Sequence, residues 1–258
     1  MEASKDYLFI HGTASSGRIW LKMLKDMPSV HSPPDRLLTP DLPGMGRLAI
    51  DAALDLSFAD WVEHLKGVVA ASFACDSAGP EDFSSFTHRV HLIGHSLGGA
   101  LAMALAGEEW VASVALVSPA TEAFCREMRR VSRPGKRPAS IQLRRVSGSL
   151  AYDPLSLTRE DAEMLRKDYE RAGPLLEGGL PWPDFDVDEV SLLAGKRTLI
   201  VWGEQDKVVA PAYALELVDK LRVSGVPVTS VSIPYCGHVP MLEHPVELAR
   251  ILHDFWNR

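Results

Sequence analysis

Residues 90–106 read VHLIGHSLGGALAMALA and place one serine, Ser96, between two different kinds of sequence. The run VHLI before it is short and apolar with β-branched residues, which is typical of a buried strand. The run GGALAMALA after it consists mainly of alanine and leucine, which favour a helix. Glycine stands two positions before the serine and two positions after it. The stretch therefore predicts a strand, a sharp turn at Ser96 and a helix.

The same alternation of strand and helix continues along most of the 258 residues. It predicts an α/β fold with a mainly parallel, six-stranded sheet that is covered by helices on both faces. We expect strands at residues 7–11, 36–41, 90–94, 113–118, 198–203 and 228–233. We expect helices at about 17–28, 58–71, 96–109, 211–224 and 245–257, and a surface loop at 72–89.

Residues 119–190 depart from this alternation, because they are rich in proline and contain only short helical patterns, such as the one at 158–171. A connection of this length between two strands usually carries a function or is disordered. We interpret it as a cap inserted over the sheet. Residues 1–118 and 191–258 then form the core, and residues 119–190 form the lid.

The composition excludes several classes of protein. Hydrophobic residues make up 46% and charged residues 24%, as in an ordinary globular domain. The net charge of -7 argues against a general nucleic-acid binder, because phosphate contacts need a concentrated basic face. The beginning, MEASKDYLFIHG, lacks a signal-peptide pattern and no long apolar run follows, so we expect a cytoplasmic protein without membrane contact. Cys75, Cys125 and Cys236 lack the spacing of a zinc site or a disulfide framework.

The five residues GHSLG at 94–98 have the G-x-S-x-G form that places a serine nucleophile on a strained turn between a strand and a helix. A serine at the start of a helix is also a common helix cap, which is the alternative interpretation of Ser96. A serine nucleophile needs a base, and the base needs an orienting acid. The choice between the two interpretations therefore depends on such partners.

Candidate partners follow two later strands. Asp206 comes after the strand TLIVWG, and His238 comes after the strand VTSVSIP. Because the carboxyl ends of parallel strands share one edge of the sheet, we expect both side chains close to Ser96. The chain order serine, aspartate, histidine is one of those known for a catalytic triad. Glu204 and Glu122 compete for the role of the acid, and we favour Asp206.

Two backbone N–H groups are expected to bind the oxyanion that acyl transfer generates. One belongs to Leu97, directly after the serine and at the start of a helix. The other belongs to the loop HGTA at 11–14, where we favour Thr13. We expect His11 to brace this loop by hydrogen bonding rather than to act as the base. The residues predicted to contact the substrate are Gly12, His95, Met45 and Val239.

Five motifs in order make the chain similar to the α/β-hydrolase family: FIHGT at 9–13, DLPGMG at 41–46, GHSLGG at 94–99, GEQD at 203–206 and GHVPMLEHP at 237–245. The resemblance implies Ser96 as the nucleophile, His238 as the base and Asp206 as the acid. The early first strand resembles that of compact hydroxynitrile lyases and methylesterases. Where many relatives carry polar residues, this sequence has Met45 and Leu48, which we expect at the rim of the pocket.

The residues and the resemblance together predict a serine hydrolase that cleaves a carboxylic ester or thioester through an acyl-serine. Three alternatives stay open. One is cleavage of a carbon–carbon bond, since CGH at 236–238 resembles enzymes with that activity. The second is a lyase or cyclase that uses the triad for proton transfer alone, and the third is a non-catalytic binding protein of the same fold. The predicted mechanism needs no metal or organic cofactor.

Residues 121–145 carry eight basic and two acidic side chains, a net charge of +6 against -13 for the rest of the chain. We interpret this stretch either as a solvated basic face or as an entrance that attracts an anionic acyl substrate, coenzyme A or a carrier protein. The basic residues are Arg126, Arg129, Arg130, Arg133, Lys136, Arg137, Arg144 and Arg145.

Overall fold

The computed structural model describes residues 6–27, 36–49, 56–73, 89–131, 150–185 and 188–257. Its strands are β1 (Asp6–Ile10), β2 (Arg36–Leu38), β3 (Val90–His95), β4 (Val111–Val117), β5 (Arg197–Gly203) and β6 (Val228–Ile233). They form one sheet in the order β2-β1-β3-β4-β5-β6, and every neighbouring pair is parallel. The predicted six-stranded α/β fold is confirmed.

Helices follow most of the strands. They are α1 (Leu21–Asp26), α2 (Phe58–Phe73), α3 (Leu97–Leu105), α4 (Glu122–Val131), α5 (Arg159–Arg171), α6 (Gly173–Gly178), α7 (Glu189–Leu193), α8 (Pro211–Val223), α9 (Pro240–Glu243) and α10 (Pro245–Trp256). Short 3₁₀ turns occupy Gly17–Trp20, Gly46–Leu48 and Pro154–Ser156. Proline opens α8 and α10, where the first helical turn does not use its N–H groups.

The core lies on both faces of the sheet. On β1, the side chains of Leu8 and Ile10 point into one buried cluster, while those of Tyr7 and Phe9 point into the other. Helices α2, α3 and α8 cover the first cluster, and α1 and α10 cover the second. A parallel sheet buried in this way explains why its strands read as nearly continuous apolar runs.

The observed elements differ from the predicted ones mainly at their ends. The chain leaves β2 before residue 41, where the Asp41 carboxylate accepts hydrogen bonds from the N–H groups of Gly17 (2.7 Å) and Arg47 (2.8 Å). Most of the predicted loop at 72–89 lies outside the described residues, and so does Cys75. Helix α2 extends to Phe73 and so includes the first two residues of the predicted loop. Cys125 and Cys236 are buried and free.

Between β4 and β5 the described chain forms α4, the turn Pro154–Ser156, α5, α6 and α7. The helical pattern predicted at 158–171 is confirmed, and Thr158 caps it by accepting from the N–H of Asp161 at 3.1 Å. The Asp161 carboxylate accepts from the Thr158 N–H at 3.0 Å, which completes a capping box. The interpretation of residues 119–190 as a separate cap stays a prediction. Within the described ranges, no helix has the length and apolar character to cross a bilayer.

The contact between α3 and β1 depends on Gly98. A Cβ atom at this position would lie 2.3 Å from the carbonyl oxygen of Ile10. We therefore expect Gly98→Ala to lower the free energy of unfolding by about 1–3 kcal/mol, as overpacking does. Gly107→Ala is the control, because a Cβ atom there meets nothing within 4 Å. Urea unfolding of both variants measures the difference, and equal stabilities would contradict this packing.

Candidate active site

The turn after β3 holds Ser96 in an unusual backbone conformation, with φ 53° and ψ -118°. Its N–H donates to the carbonyl of Val117 at 3.1 Å, and its carbonyl accepts from Gly99 (2.8 Å) and Ala120 (2.9 Å). A non-glycine residue in such a conformation costs on the order of 1–3 kcal/mol and persists only where the surroundings impose it. These hydrogen bonds from β4 and α3 impose it. The strained turn predicted from GHSLG is present.

Glycines bring the neighbouring chain close to this turn. A Cβ atom at Gly94 would lie 2.1 Å from the carbonyl oxygen of Gly98, so the turn could not close with a side chain there. A Cβ atom at Gly12 would lie 2.9 Å from Cβ of Ser96 and 3.0 Å from Nδ1 of His95. The loop after β1 therefore lies directly against the serine, as its assignment to the oxyanion site requires.

His238 and Asp206 form a buried pair. Nδ1 of His238 lies 2.8 Å from Oδ2 of Asp206, and both residues are almost fully buried. Because a carboxylate can only accept, Nδ1 carries the proton and Nε2 is left as an acceptor in the neutral imidazole. Oδ1 of Asp206 accepts from the N–H groups of Val208 (2.8 Å) and Val209 (2.9 Å), which fix the carboxylate.

The pKa of Asp206 is lower than that of an ordinary aspartate. Burial alone would raise it, but the charge of His238 and the hydrogen bonds to the carboxylate outweigh burial. The alternative acids lie elsewhere. Glu204 is exposed and accepts from the Ser232 hydroxyl at 3.0 Å, and Glu122 pairs with Arg126 at 3.0 Å.

His95 has a role that the sequence did not reveal. Its Nε2 lies 2.8 Å from the carbonyl oxygen of His238 and donates to it. Burial, with the nearby charge of His238, lowers the pKa of His95 to about 3, so its ring is neutral. The residue before the serine therefore holds the backbone of the histidine predicted as the base.

Glu243 also holds the His238 loop and was missed. Its carboxylate accepts from the N–H groups of Gly237 (3.0 Å) and Val239 (3.3 Å). It accepts as well from the N–H of Tyr152 at 2.7 Å, on the segment before α5. The one indication in the sequence was that Glu243 lies in GHVPMLEHP, a motif that indicates the family but not the role of this glutamate.

The loop after β1 is held by His11, as predicted. Nε2 of His11 accepts from the N–H of Leu42 at 3.0 Å, so Nδ1 donates to the carbonyl of Gly12 at 2.8 Å. Burial lowers the pKa of His11 to about 4, and the ring is neutral. Thr13 then faces the cavity beside Ser96. Leu97, the first residue of α3, has an N–H that no earlier turn of the helix can bind.

A cavity of about 480 Å³ joins these elements. Ser96 and His238 line it together with Thr13 and Ser15. The remaining lining comes mainly from apolar side chains of the segment between β4 and β5, together with Arg166 and Tyr169. These apolar residues include Phe124, Met128, Leu150, Leu157, Leu165 and Trp182. No sequence motif pointed to these residues.

The predicted substrate contacts divide into two groups. His95 and Val239 line the cavity, and Gly12 lies against Ser96. The prediction for Met45 is wrong, because its side chain is fully buried in the apolar cluster under α2 and α3. Its N–H donates to the carbonyl of Leu42 at 2.9 Å, and Met45 is not among the residues that line the cavity.

The basic stretch is described only in part. Arg126 pairs with Glu122 at 3.0 Å, and Arg129 pairs with Asp184 at 2.7 Å. The other predicted members beyond Arg130 lie outside the described residues. Among the described residues, no group of three or more histidine, cysteine or carboxylate side chains is arranged to hold a metal ion.

Comparisons with known proteins agree with this architecture. Residues 7–251 match the alpha/beta hydrolase family. The chain is 25% identical over 268 residues to the 2-hydroxy-6-oxo-2,4-heptadienoate hydrolase of Pseudomonas putida. The alignment covers 98% of this chain and 89% of that protein. A solved esterase from Thermogutta terrifontis has a TM-score of 0.70 at 19% identity, over 99% of this chain and 90% of the other. A solved meta-cleavage product hydrolase from Pseudomonas fluorescens IP01 has a TM-score of 0.67 at 22% identity. The match covers 99% of this chain and 91% of that protein.

The lowered pKa of Asp206 has a consequence for stability. The stabilisation it provides is fully present above the unfolded pKa of about 3.9 and is lost as the pH falls through the folded pKa. We therefore expect Asp206→Asn to show a shallower loss of unfolding free energy than the wild type between about pH 5 and pH 3. Urea unfolding across this range is the measurement, with the exposed Asp219→Asn as the control. Equal slopes for the wild type and Asp206→Asn would contradict the pairing.

Proposed function

Since the chain belongs to the α/β-hydrolase family and is an enzyme, we propose that it hydrolyses a carboxylic ester or thioester through an acyl-serine on Ser96. The observation that carries the proposal is the 2.8 Å contact between His238 and Asp206, where His238 lines the same cavity as Ser96 on its strained turn. The fold alone supports many reactions, so the proposal rests on this geometry.

Acylation uses the side chains in fixed roles. Oγ of Ser96 attacks the carbonyl carbon while Nε2 of His238 takes the hydroxyl proton, and Asp206 stabilises the resulting imidazolium. The carbonyl electrons move to oxygen, where the N–H groups of Leu97 and Thr13 bind the oxyanion. When the tetrahedral intermediate collapses, the bond to the leaving alcohol or thiol breaks and His238 returns the proton to it.

Deacylation repeats the same steps with water. His238 takes a proton from a water molecule, which attacks the acyl carbon of the ester on Ser96. The oxyanion forms again at the same N–H groups and then collapses. Ser96 leaves with the proton from His238, and a carboxylic acid is released.

The lining of the cavity supports an apolar substrate. Thr13, Ser96 and His238 supply polar groups to it, while α4, α5 and the segment before α5 supply mainly apolar side chains together with Arg166 and Tyr169. We propose that the reacting carbonyl lies beside Ser96 and that an apolar acyl or alcohol group packs against Phe124 and Leu165. A volume of about 480 Å³ is typical of a site for a small molecule.

Cleavage of a carbon–carbon bond is the second candidate, because the similar protein from Pseudomonas putida is named as a hydrolase of a 2-hydroxy-6-oxo-dienoate. In this reaction the leaving group is a carbon atom that must receive a proton. The same serine, histidine and oxyanion groups can catalyse this reaction. The two candidates therefore differ in the substrate and not in the catalytic residues.

Reaction with a fluorophosphonate probe tests the role of the serine. We expect the wild type to be labelled at Ser96, because the activated hydroxyl attacks phosphorus as it attacks a carbonyl. Ser96→Ala should lose the label completely, and Ser232→Ala, which removes an exposed hydroxyl, should keep it. Peptide mass spectrometry locates the modification. An unlabelled wild type would contradict the acyl-serine and favour a lyase or a binding protein.

A series of p-nitrophenyl esters tests the class of substrate. If an acyl chain fills the apolar part of the cavity, kcat/KM rises by about fourfold per added methylene, since each buried methylene contributes about 0.8 kcal/mol. The rise in kcat/KM should stop at the chain length that fills the cavity. Met128→Trp narrows the cavity and should lower that chain length. Faster turnover of a 2-hydroxy-6-oxo-dienoate than of any ester would favour the second candidate instead.

A further inference from the structure

The loop between β1 and the turn Gly17–Trp20 carries backbone strain next to the reacting groups. Ala14, the residue after Thr13, has φ 53°, in the left-handed region that a residue with a side chain rarely adopts. Such strain persists only where the surrounding structure imposes it. The direction of the Thr13 N–H therefore depends on what holds the loop beyond Ala14.

Two carboxylates hold the loop at adjacent residues. Asp41, on the loop after β2, accepts from the N–H of Gly17 at 2.7 Å. Asp168, on α5, accepts from the Ser16 hydroxyl at 2.5 Å. Ser16 is packed closely against Gly46, since a Cβ atom added at Gly46 would lie 2.8 Å from the Cβ atom of Ser16. The first of these contacts comes from the loop after β2, and the second comes from the segment between β4 and β5.

Burial of the Asp168 carboxylate lowers the stability of the fold. It is 1% exposed, and its Oδ1 has no hydrogen-bond partner among the described residues. Burial raises the pKa of Asp168, against the opposing effect of the hydrogen bond from Ser16. Burying a carboxylate with a single direct partner costs free energy that an apolar residue would avoid.

Helix α5 also borders the cavity. Leu165, Arg166 and Tyr169 line the cavity, and Asp168 lies between them in sequence on the same helix. One helix therefore contacts the site of the substrate and the loop that carries Thr13. A shift of α5 would change both.

On the basis of the proposed function, we propose that Asp168 is a positioning residue for the oxyanion site. Its hydrogen bond to Ser16 holds the strained loop so that the Thr13 N–H points at the oxyanion. Asp168 acts through Ser16 and Thr13 and does not touch the reacting atoms. The contact also makes the position of α5, and so the fit of a substrate against it, part of the catalytic geometry.

The test compares Asp168→Ala, Ser16→Ala and the double variant. Since a small misplacement of a catalytic group can cost on the order of a hundredfold, we expect kcat to fall ten- to a hundredfold with KM nearly unchanged. The double variant should lose no more than Asp168→Ala, because both changes remove the same contact. Asp168→Asn keeps an oxygen that accepts from Ser16 and should restore most of kcat.

Asp161→Ala is the matched control. It removes another buried carboxylate of α5, whose ion pair at 2.8 Å and hydrogen bonds join Lys22 and Thr158 rather than the loop after β1. It should reduce stability with a smaller effect on kcat. Amide hydrogen exchange at residues 13–16 should be faster in Asp168→Ala and unchanged in Asp161→Ala.

Three results would overturn the proposal. They are equal losses of kcat in Asp168→Ala and Asp161→Ala, additive losses in the double variant, and unchanged exchange at residues 13–16. Failure of the proposed function is recognised separately, because the wild type would then neither cleave esters nor react with the fluorophosphonate. In that case the exchange rates alone decide whether Asp168 holds the loop.

Discussion

The backbone hydrogen bonds at Ser96 are the constraint on which the rest of the site depends. They force a residue with a side chain to φ 53° at the end of β3, and they connect that residue to β4 and to α3 at once. Because the sheet is parallel, the loops after β1, β5 and β6 reach the same edge. A strained turn at this edge presents one hydroxyl to all of them.

Carboxylates hold the loops around this hydroxyl. Asp206 orients His238, Glu243 binds the backbone on both sides of His238, and Asp41 and Asp168 hold the loop after β1. Most of their partners are backbone N–H groups, which are fixed by the fold and cannot move away. Glu243 and Asp168 also join these loops to the segment between β4 and β5. The geometry of the site and the position of that segment are therefore coupled.

The six parallel strands and the pairing of His238 with Asp206 were predictable from sequence, because strands and short motifs depend on local pattern. The interaction of His95 with the His238 carbonyl was not, since it joins residues 143 positions apart. Met45 was placed wrongly because a motif gives the position of a loop but not the direction of its side chains. The lining from α4 and α5 was missed for the same reason, as it depends on how these helices pack.

In the proposed mechanism, Ser96 carries the acyl group during turnover. The most direct measurement is the mass of the protein, quenched with acid within the first turnovers of a p-nitrophenyl ester. We expect a species heavier by one acyl group, located on the peptide that contains Ser96 and absent in Ser96→Ala. Turnover at the normal rate with no acyl group on Ser96 at any quench time would contradict it.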